Sequence, residues 1–321
     1  MTVAPAGARY SRAVSVENDV QRARSRGWRR IYFNWATIPF WSVHVGAAVG
    51  LALTGFSWSG LAFAAAVYAA LMFFVTAGYH RYFSHRSYKT SRPMQFLIGV
   101  AATLTLQKGP LWWASHHRRH HKESDGERDV HSPVTASFWW AHMGWILCRD
   151  FEGTDYDRVR DLARFPELVW LNRLSVVPPL VAGVVVGLVG GLPLLAWFLL
   201  AITLTWHGTF TINSLAHVIG RRRYLTGDDS RNHLGLALVT HGEGWHNNHH
   251  HYQSSCRQGF RWYEIDVSYY VVRLLAAARL VWDVRQPPRH VVEGGRRGRP
   301  RAPAPGPETV PDANNAFDEA A

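Results

Sequence analysis

The chain alternates between long uncharged apolar tracts and short segments dense in histidine, arginine and tryptophan. No Asp, Glu, Lys or Arg occurs from Ile31 to His80, or from Leu174 to Gly220. At 1.5 Å rise per residue about 20 residues cross a bilayer core, so each tract is long enough for two crossings. Turn-forming residues divide both, "GFSWSG" in the first and "VGGLP" in the second. The pattern predicts spans over about 36–56, 60–79, 174–190 and 192–212, arranged as two hairpins. From Met94 to Gln107, "MQFLIGVAATLTLQ" is apolar but short, which predicts a helix lying at the interface or against the bundle.

Charge then orients these spans. The 321 residues carry a formal net charge of +12. Nucleic-acid binding would need a soluble face of mixed basic and aromatic residues, whereas here the arginines flank the apolar tracts, as the positive-inside rule expects. The basic segment 1–30, the stretch from Arg81 to Arg173 and the run "RRRY" at Arg221–Tyr224 are therefore expected on the cytoplasmic side. Two cysteines, Cys148 and Cys256, exclude a disulfide framework and a CxxC metal site. Nothing near the start reads as a cleaved signal peptide. Pro, Gly and charge without periodicity predict a disordered tail over 285–321 and leave 31–284 as the membrane domain. No haem-binding segment is apparent, so reducing equivalents are expected from a separate protein.

The candidate chemistry lies in histidine. "HRYFSH" carries His80 and His85, "HHRRHH" carries His116, His117, His120 and His121, and "GEGWHNNHHHY" carries His246, His249, His250 and His251. "NSLAH" sets Asn213 and His217 one helical turn apart. An even number of crossings separates the clusters, so all emerge at the cytoplasmic ends of the spans. At about 100° per residue His117, His120 and His121 share one helical face, as do His246, His249 and His250. His116 also reaches the first face by geometry alone, whereas His251 turns about 100° beyond His250. With His80, His85 and His217 these make nine imidazole donors, too many for one first-row ion and suited to two.

The carboxylate pattern of ferritin-like di-iron proteins is missing, and a zinc hydrolase needs only three ligands. A metal transporter would carry its ligands within the bilayer. Two irons in an all-imidazole site suit oxygen activation on a lipid substrate. Of the other histidines, His44 and His207 read as helix-packing groups. His131, His142, His233 and His241 read as supporting residues, and His290 falls in the tail.

On "GYHRYFSHRSYK", "HRRHHKESD", "FWWAHMGWIL", "NSLAHVIG" and "GEGWHNNHHHY" followed by "RWYEID", the chain resembles the membrane-bound fatty acid desaturases, closest to the stearoyl-CoA, delta-9 acyl-CoA type. The resemblance implies an all-α integral membrane fold of four transmembrane helices, with a cytosolic helical cap over a histidine-rich di-iron site. It implies one iron on His80, His85, His117, His121 and His249. A second iron falls to His120, His217, His246 and His250, with a water held by Asn213. The reaction implied is insertion of a cis double bond into a saturated acyl chain, using O2 and two electrons from a ferredoxin, cytochrome b5 or flavoprotein reductase. Acyl-CoA is the favoured carrier and an acyl-lipid the alternative; a di-iron membrane hydroxylase is the neighbouring chemistry.

Position along an acyl chain must be set by geometry, because the methylenes are alike. Thr76, Met72 and Tyr68 precede His80 at steps of four and so share its helical face. Met72 lies roughly 12 Å from the His80 level, which makes Tyr68 and Met72 candidates for the closed end of a tunnel. Trp206 and Phe210 are candidate tunnel walls. Arg118, Arg119, Lys122 and Arg221–Arg223 are candidate partners for CoA phosphates or lipid headgroups.

Overall fold

The computed structural model describes residues 19–26 and 28–294. Three helices in it are long and apolar enough to cross a membrane: Trp35–Thr54, Trp58–Ser84 and Val177–His217. Within the first, α1 (Ile38–Thr54) stops where Gly55 turns the chain. α2 (Trp58–Phe73) starts at Ser57, whose hydroxyl accepts a hydrogen bond from Gly60 N at 3.2 Å. It does not end near residue 79 as the apolar pattern suggests. From Phe74 to Ser84 it continues in the wider turns of a π-helix, which carry it past the first charged residue.

The third apolar helix, α5 (Val177–Ser214), is two arms. Gly191 sits at φ 62°, ψ −161°, a conformation essentially restricted to glycine. Ala182 and Val186 before the turn pack on the same cluster as Phe198 and Ile202 after it. Val176 and Trp206 line one cavity, although the 30 positions between them would span about 45 Å of straight helix. The arms are therefore antiparallel, and the reversal falls at "VGGLP". Side chains on the outside of this bundle are apolar: Leu188 is 82% and Val189 78% exposed, as expected of a surface solvated by lipid.

Ahead of α5, α3 (Arg92–Thr103) starts at Ser91 and packs on the π-turns of α2 and on the helix Pro166–Arg173. α4 (Pro110–Glu123) packs on the same π-turns. After α5 come α6 (Leu234–Val239), α7 (His246–His251) and α8 (Val267–Ala277). The main core joins Tyr79, Tyr82 and Phe83 of α2, Ile98 of α3, Leu111 of α4 and Val272 of α8. It lies beneath the histidines and fixes the α2–α4 crossing that presents them.

Two boundaries differ from those read off the sequence. Residues 285–294, assigned to the tail, are packed: Arg285 N donates to Ser87 O, Tyr224 Oη donates to Val292 O at 2.9 Å, and Arg289–Gly294 is helical. A two-residue antiparallel pair, Lys89–Thr90 with Val281–Trp282, ties this end to α2. Likewise Asp19–Arg24 is helical and buries Val20 and Ala23 against Trp112 and Trp140. Composition gives little warning of either, because each segment is held by contacts with residues far away in sequence. Residues 295–321 and 1–18, the rest of the expected tail and basic segment, lie outside the described residues.

Candidate metal centre

Local geometry decides which histidines meet. In α-helical turns His80 and His85, five positions apart, would diverge by about 140°. The π-turns bond i to i+5, and His85 N donates to His80 O at 3.2 Å. The two rings therefore meet edge to face, their centroids 4.8 Å apart. α4 presents His117, His120 and His121, and α7 presents His246, His249 and His250, each from one face as their spacing predicts. α7 has only six residues and is anchored by its own Asn pair. Asn247 Oδ1 accepts from the Arg223 and Tyr224 backbone N–H groups, and the Asn248 amide donates to Gln258 O and Glu264.

The nine histidines form two groups. In the first, Nε2 atoms of His85 and His117, His117 and His121, and His121 and His249 lie 2.9 Å apart, with His249 and His80 at 3.0 Å. The second brings together His120, His217, His246 and His250, with His217 and His246 Nε2 at 3.1 Å. Imidazole–metal bonds of about 2.0–2.1 Å, the zinc values, put neighbouring donors at right angles about 3 Å apart. Lone pairs of five rings at that spacing repel unless a cation sits among them. The donor sets therefore fit two metal ions.

Carboxylates hold the outer ring nitrogens. His120 Nδ1 meets Asp129 at 3.0 Å, His217 Nδ1 meets Asp125 at 2.8 Å and His250 Nδ1 meets Asp228 at 2.5 Å. His80 Nδ1 contacts Glu243, which also accepts from buried Arg81 at 3.0 Å. A carboxylate on Nδ1 selects the tautomer whose Nε2 lone pair points inward. Burial, joined by neighbouring imidazoles, holds His85, His117, His121, His246 and His249 well below the usual histidine range, and holds His250 at about 4. These rings are neutral at pH 7, the form that binds metals. Burial opposes the charge on Asp125, Asp129 and Asp228, yet their histidine partners keep all three below the usual carboxylate range. The sequence reading missed these four acids. Only Asp125 in "HHKESD" and Glu243 in "GEGWH" stand near a cluster, and neither has ligand-like periodicity.

A path of cavities runs past the two groups. The first, about 230 Å³, is lined by Pro39, Phe40, Lys108, Glu152, Trp206 and Phe210 among others. It shares Ile146 and Phe210 with a second of about 30 Å³ that reaches His117 and Asn213. A third, also about 30 Å³, shares Trp113, His117, Thr209 and Asn213 with the second and continues to Met72, Thr76, His80 and His246. At Met72 the side chains of α2 press on α5: a Cβ on Gly208 would lie 2.6 Å from Met72 Cε and 3.0 Å from Tyr68 Oη. A larger groove of about 490 Å³ beside the start of α1, lined by Phe33, Trp35 and Trp41, includes none of the nine histidines.

The other candidates fall differently. Arg118 does not face a headgroup site. Its five N–H donors are spent on Ser84 O, Phe83 O, Arg158 O and both oxygens of Asp161, so it staples α4 to the end of α2. Arg119 is half-buried, Lys122 is exposed, and neither lines the cavity path. The cation at the mouth is Lys108, 5.1 Å over the Trp112 ring. Arg222 pairs with Asp229, and Arg223 contacts Glu264. His116 turns away between Trp112 and Trp145 and bonds Trp112 O at 3.0 Å; His251 stacks on Tyr224 at 4.0 Å. His131 packs on His120 at 4.2 Å, and His233 caps α6.

Comparison with known proteins agrees with this geometry. The fatty acid desaturase family profile matches residues 56–282. The chain is 37% identical over 239 residues to an icosanoyl-CoA 5-desaturase of Limnanthes douglasii, covering 72% of this chain and 67% of that protein. It is 34% identical over 262 residues to an sn-1 stearoyl-lipid 9-desaturase of Anabaena variabilis, covering 78% and 94% respectively. It is 36% identical over 266 residues to delta-9 acyl-lipid desaturase 1 of Arabidopsis thaliana, covering 82% and 86%. With its histidine clusters able to hold metal and its apolar helices able to cross a membrane, this chain belongs to the fatty acid desaturase family, oxidoreductases that introduce double bonds.

Proposed function

We propose that this chain is an acyl-CoA desaturase of the delta-9 type, holding two irons in the histidine groups of five and four, with a water on Asn213. The observation that carries the reading is the division of nine histidines into groups of five and four beside a narrow path that reaches Met72. When bound, the irons would supply activation of O2 and the capacity to accept electrons from an unactivated acyl chain. Each arm of α5 would cross the membrane, making four spans with α1 and α2. The cap would then face the cytoplasm, where a separate electron-donor protein can dock.

The residues do the remaining work. Asp125, Asp129, Asp228 and Glu243 fix the imidazole tautomers. Trp113, Thr209 and Asn213 confine the acyl chain between the metal groups and the bundle. Distance from the histidines to Met72 selects which carbons react. The rise of about 12 Å expected from α-helical geometry is an upper value, because the π-turns from Phe74 shorten the rise per residue. Lys108 and Glu152 at the mouth would meet the polar end of the substrate. An acyl-lipid carrier is the second reading, supported by the relative from Anabaena variabilis, whose name specifies a stearoyl-lipid and 94% of which is matched.

The test is gas chromatography with mass spectrometry of fatty acids from cells expressing the protein or its His249→Ala variant, with acyl-CoA and lipid pools separated. A new monounsaturated acid absent from the variant supports the reading, and its pool of first appearance identifies the carrier. A hydroxy acid would replace desaturation with hydroxylation.

A further inference from the structure

Three histidines outside the metal centre form a continuous chain through the bundle. His44 Nδ1 lies 2.8 Å from the Phe40 carbonyl, and His44 Nε2 lies 3.1 Å from His207 Nε2. His207 Nδ1 lies 2.9 Å from His142 Nε2, and His142 Nδ1 lies 3.0 Å from Ser214 Oγ, itself 2.9 Å from the Phe210 carbonyl. The chain joins α1, the second arm of α5 and the turn Trp140–Gly144. The other rings against it are Phe40, Trp41, Trp206, Phe210, Phe138 and Trp139. Among the described residues no carboxylate, lysine or arginine is bonded to it.

Counting hydrogens shows what this arrangement lacks. Each of the five contacts accommodates one hydrogen, and both ends are carbonyl oxygens, which only accept. Three neutral imidazoles bring three N–H groups and the serine one O–H. A neutral chain therefore leaves two lone pairs facing each other at one contact. One added proton completes all five. Burial, and His207 after it, hold His142 down at about 4, so at neutral pH the extra proton passes through rather than staying. Each ring can take a hydrogen on one nitrogen and release it from the other.

The inner end of the chain adjoins a residue that lines the cavities at the metal centre. Ser214 follows Asn213, which lines the cavities beside His117 and His80. The acids nearest the centre, Asp125, Asp129, Asp228 and Glu243, are each engaged on an imidazole and are not free to deliver protons. Desaturation balances as RCH2CH2R′ + O2 + 2 e− + 2 H+ giving RCH=CHR′ + 2 H2O. The electrons come from the separate donor protein, and two protons must also enter each turnover. We propose that His44, His207 and His142, ending at Ser214, form a proton-transfer chain that serves this demand; the role rests on the desaturase reading above.

His207→Gln and His142→Gln keep a polar side chain but cannot relay a proton by exchange between ring nitrogens. Expected are unchanged metal content and acyl-substrate KM, turnover lower by about 100-fold, the lower end for positioned proton transfer, and a larger solvent deuterium isotope effect. Wild-type turnover and isotope effect in both variants would overturn the proposal. A second measurement needs no activity. In zinc-loaded protein labelled with 15N-histidine, acid should add one proton shared across the three rings, and His207→Gln should make His44 and His142 titrate separately. Three independent titrations in the wild type would overturn the chain. An inactive wild type with the shared titration intact would instead overturn the desaturase reading.

Discussion

The two histidine groups share α4 and α7, yet they are backed in different ways. Among the described residues, only His80 in the group of five contacts a carboxylate, Glu243, and Arg81 shares that charge. In the group of four His120, His217 and His250 each have their own, Asp129, Asp125 and Asp228. The effect shows at His120. Burial and adjacent imidazoles push His117, His121 and His249 far down. His120 is as deeply buried, yet Asp129 overcomes burial and raises it. Identical donors thus sit in unequal fields, and an ion among the four would have three anions one ring away. Partners of this kind raise ligand basicity, so the group of four should hold its ion more tightly.

The largest effect comes from disturbing the neutralised side. Arg81 bonds Glu243, Asp266 and Cys256 O while almost fully buried. Arg81→Ala would leave two carboxylates uncompensated, at a cost of about 3–5 kcal/mol. Thermal unfolding in detergent should show a large drop in midpoint, and an unchanged midpoint would mean that this charge is not what secures the group of five. Next, Asp228→Asn should weaken one of two metal equivalents by about 10–100-fold in a chelator competition. Glu243→Gln should affect the other equivalent less, because Arg81 already offsets that charge. Equal weakening in both variants would erase the contrast between the groups.

Smaller effects follow from pH and from the tunnel end. In metal-free protein the folded imidazoles of His85, His117, His121, His246, His249 and His250 take up protons at lower pH than unfolded ones do. The unfolded state therefore binds more protons below about 6.5, and stability must fall as pH drops toward 4. The unfolding midpoint should decline between pH 7 and 5 without metal and much less with it; a flat metal-free profile would show that the rings are not held neutral. Met72→Ala or Tyr68→Ala should lengthen the acyl chains accepted and leave metal content unchanged. Unaltered chain preference would place the tunnel end elsewhere.

Much of this centre is readable from spacing. Spacing at i, i+3 and i+4 picks out the three histidines that α7 brings to the centre, and "VGGLP" marks the reversal in α5; on α4 His116 fits the same face, and only the family resemblance favours His117. What spacing cannot supply is partnership across the chain. Asp125 meets His217 92 positions away, and Asp228 meets His250 22 positions away, with no periodicity to reveal either. The π-turns under His80 and His85 are equally hidden, since the same residues suit an α-helix until tertiary contacts widen the turn. Arg118 misleads for a related reason: a basic residue beside a metal cluster resembles a headgroup site until Asp161 is found against it.

The most direct measurement is the number of metal equivalents held by the purified protein after reconstitution with ferrous iron and removal of excess, read by elemental mass spectrometry. Two equivalents per chain are predicted, with the more weakly held one lost first to a chelator. A single equivalent, or none, would contradict a centre divided between five histidines and four.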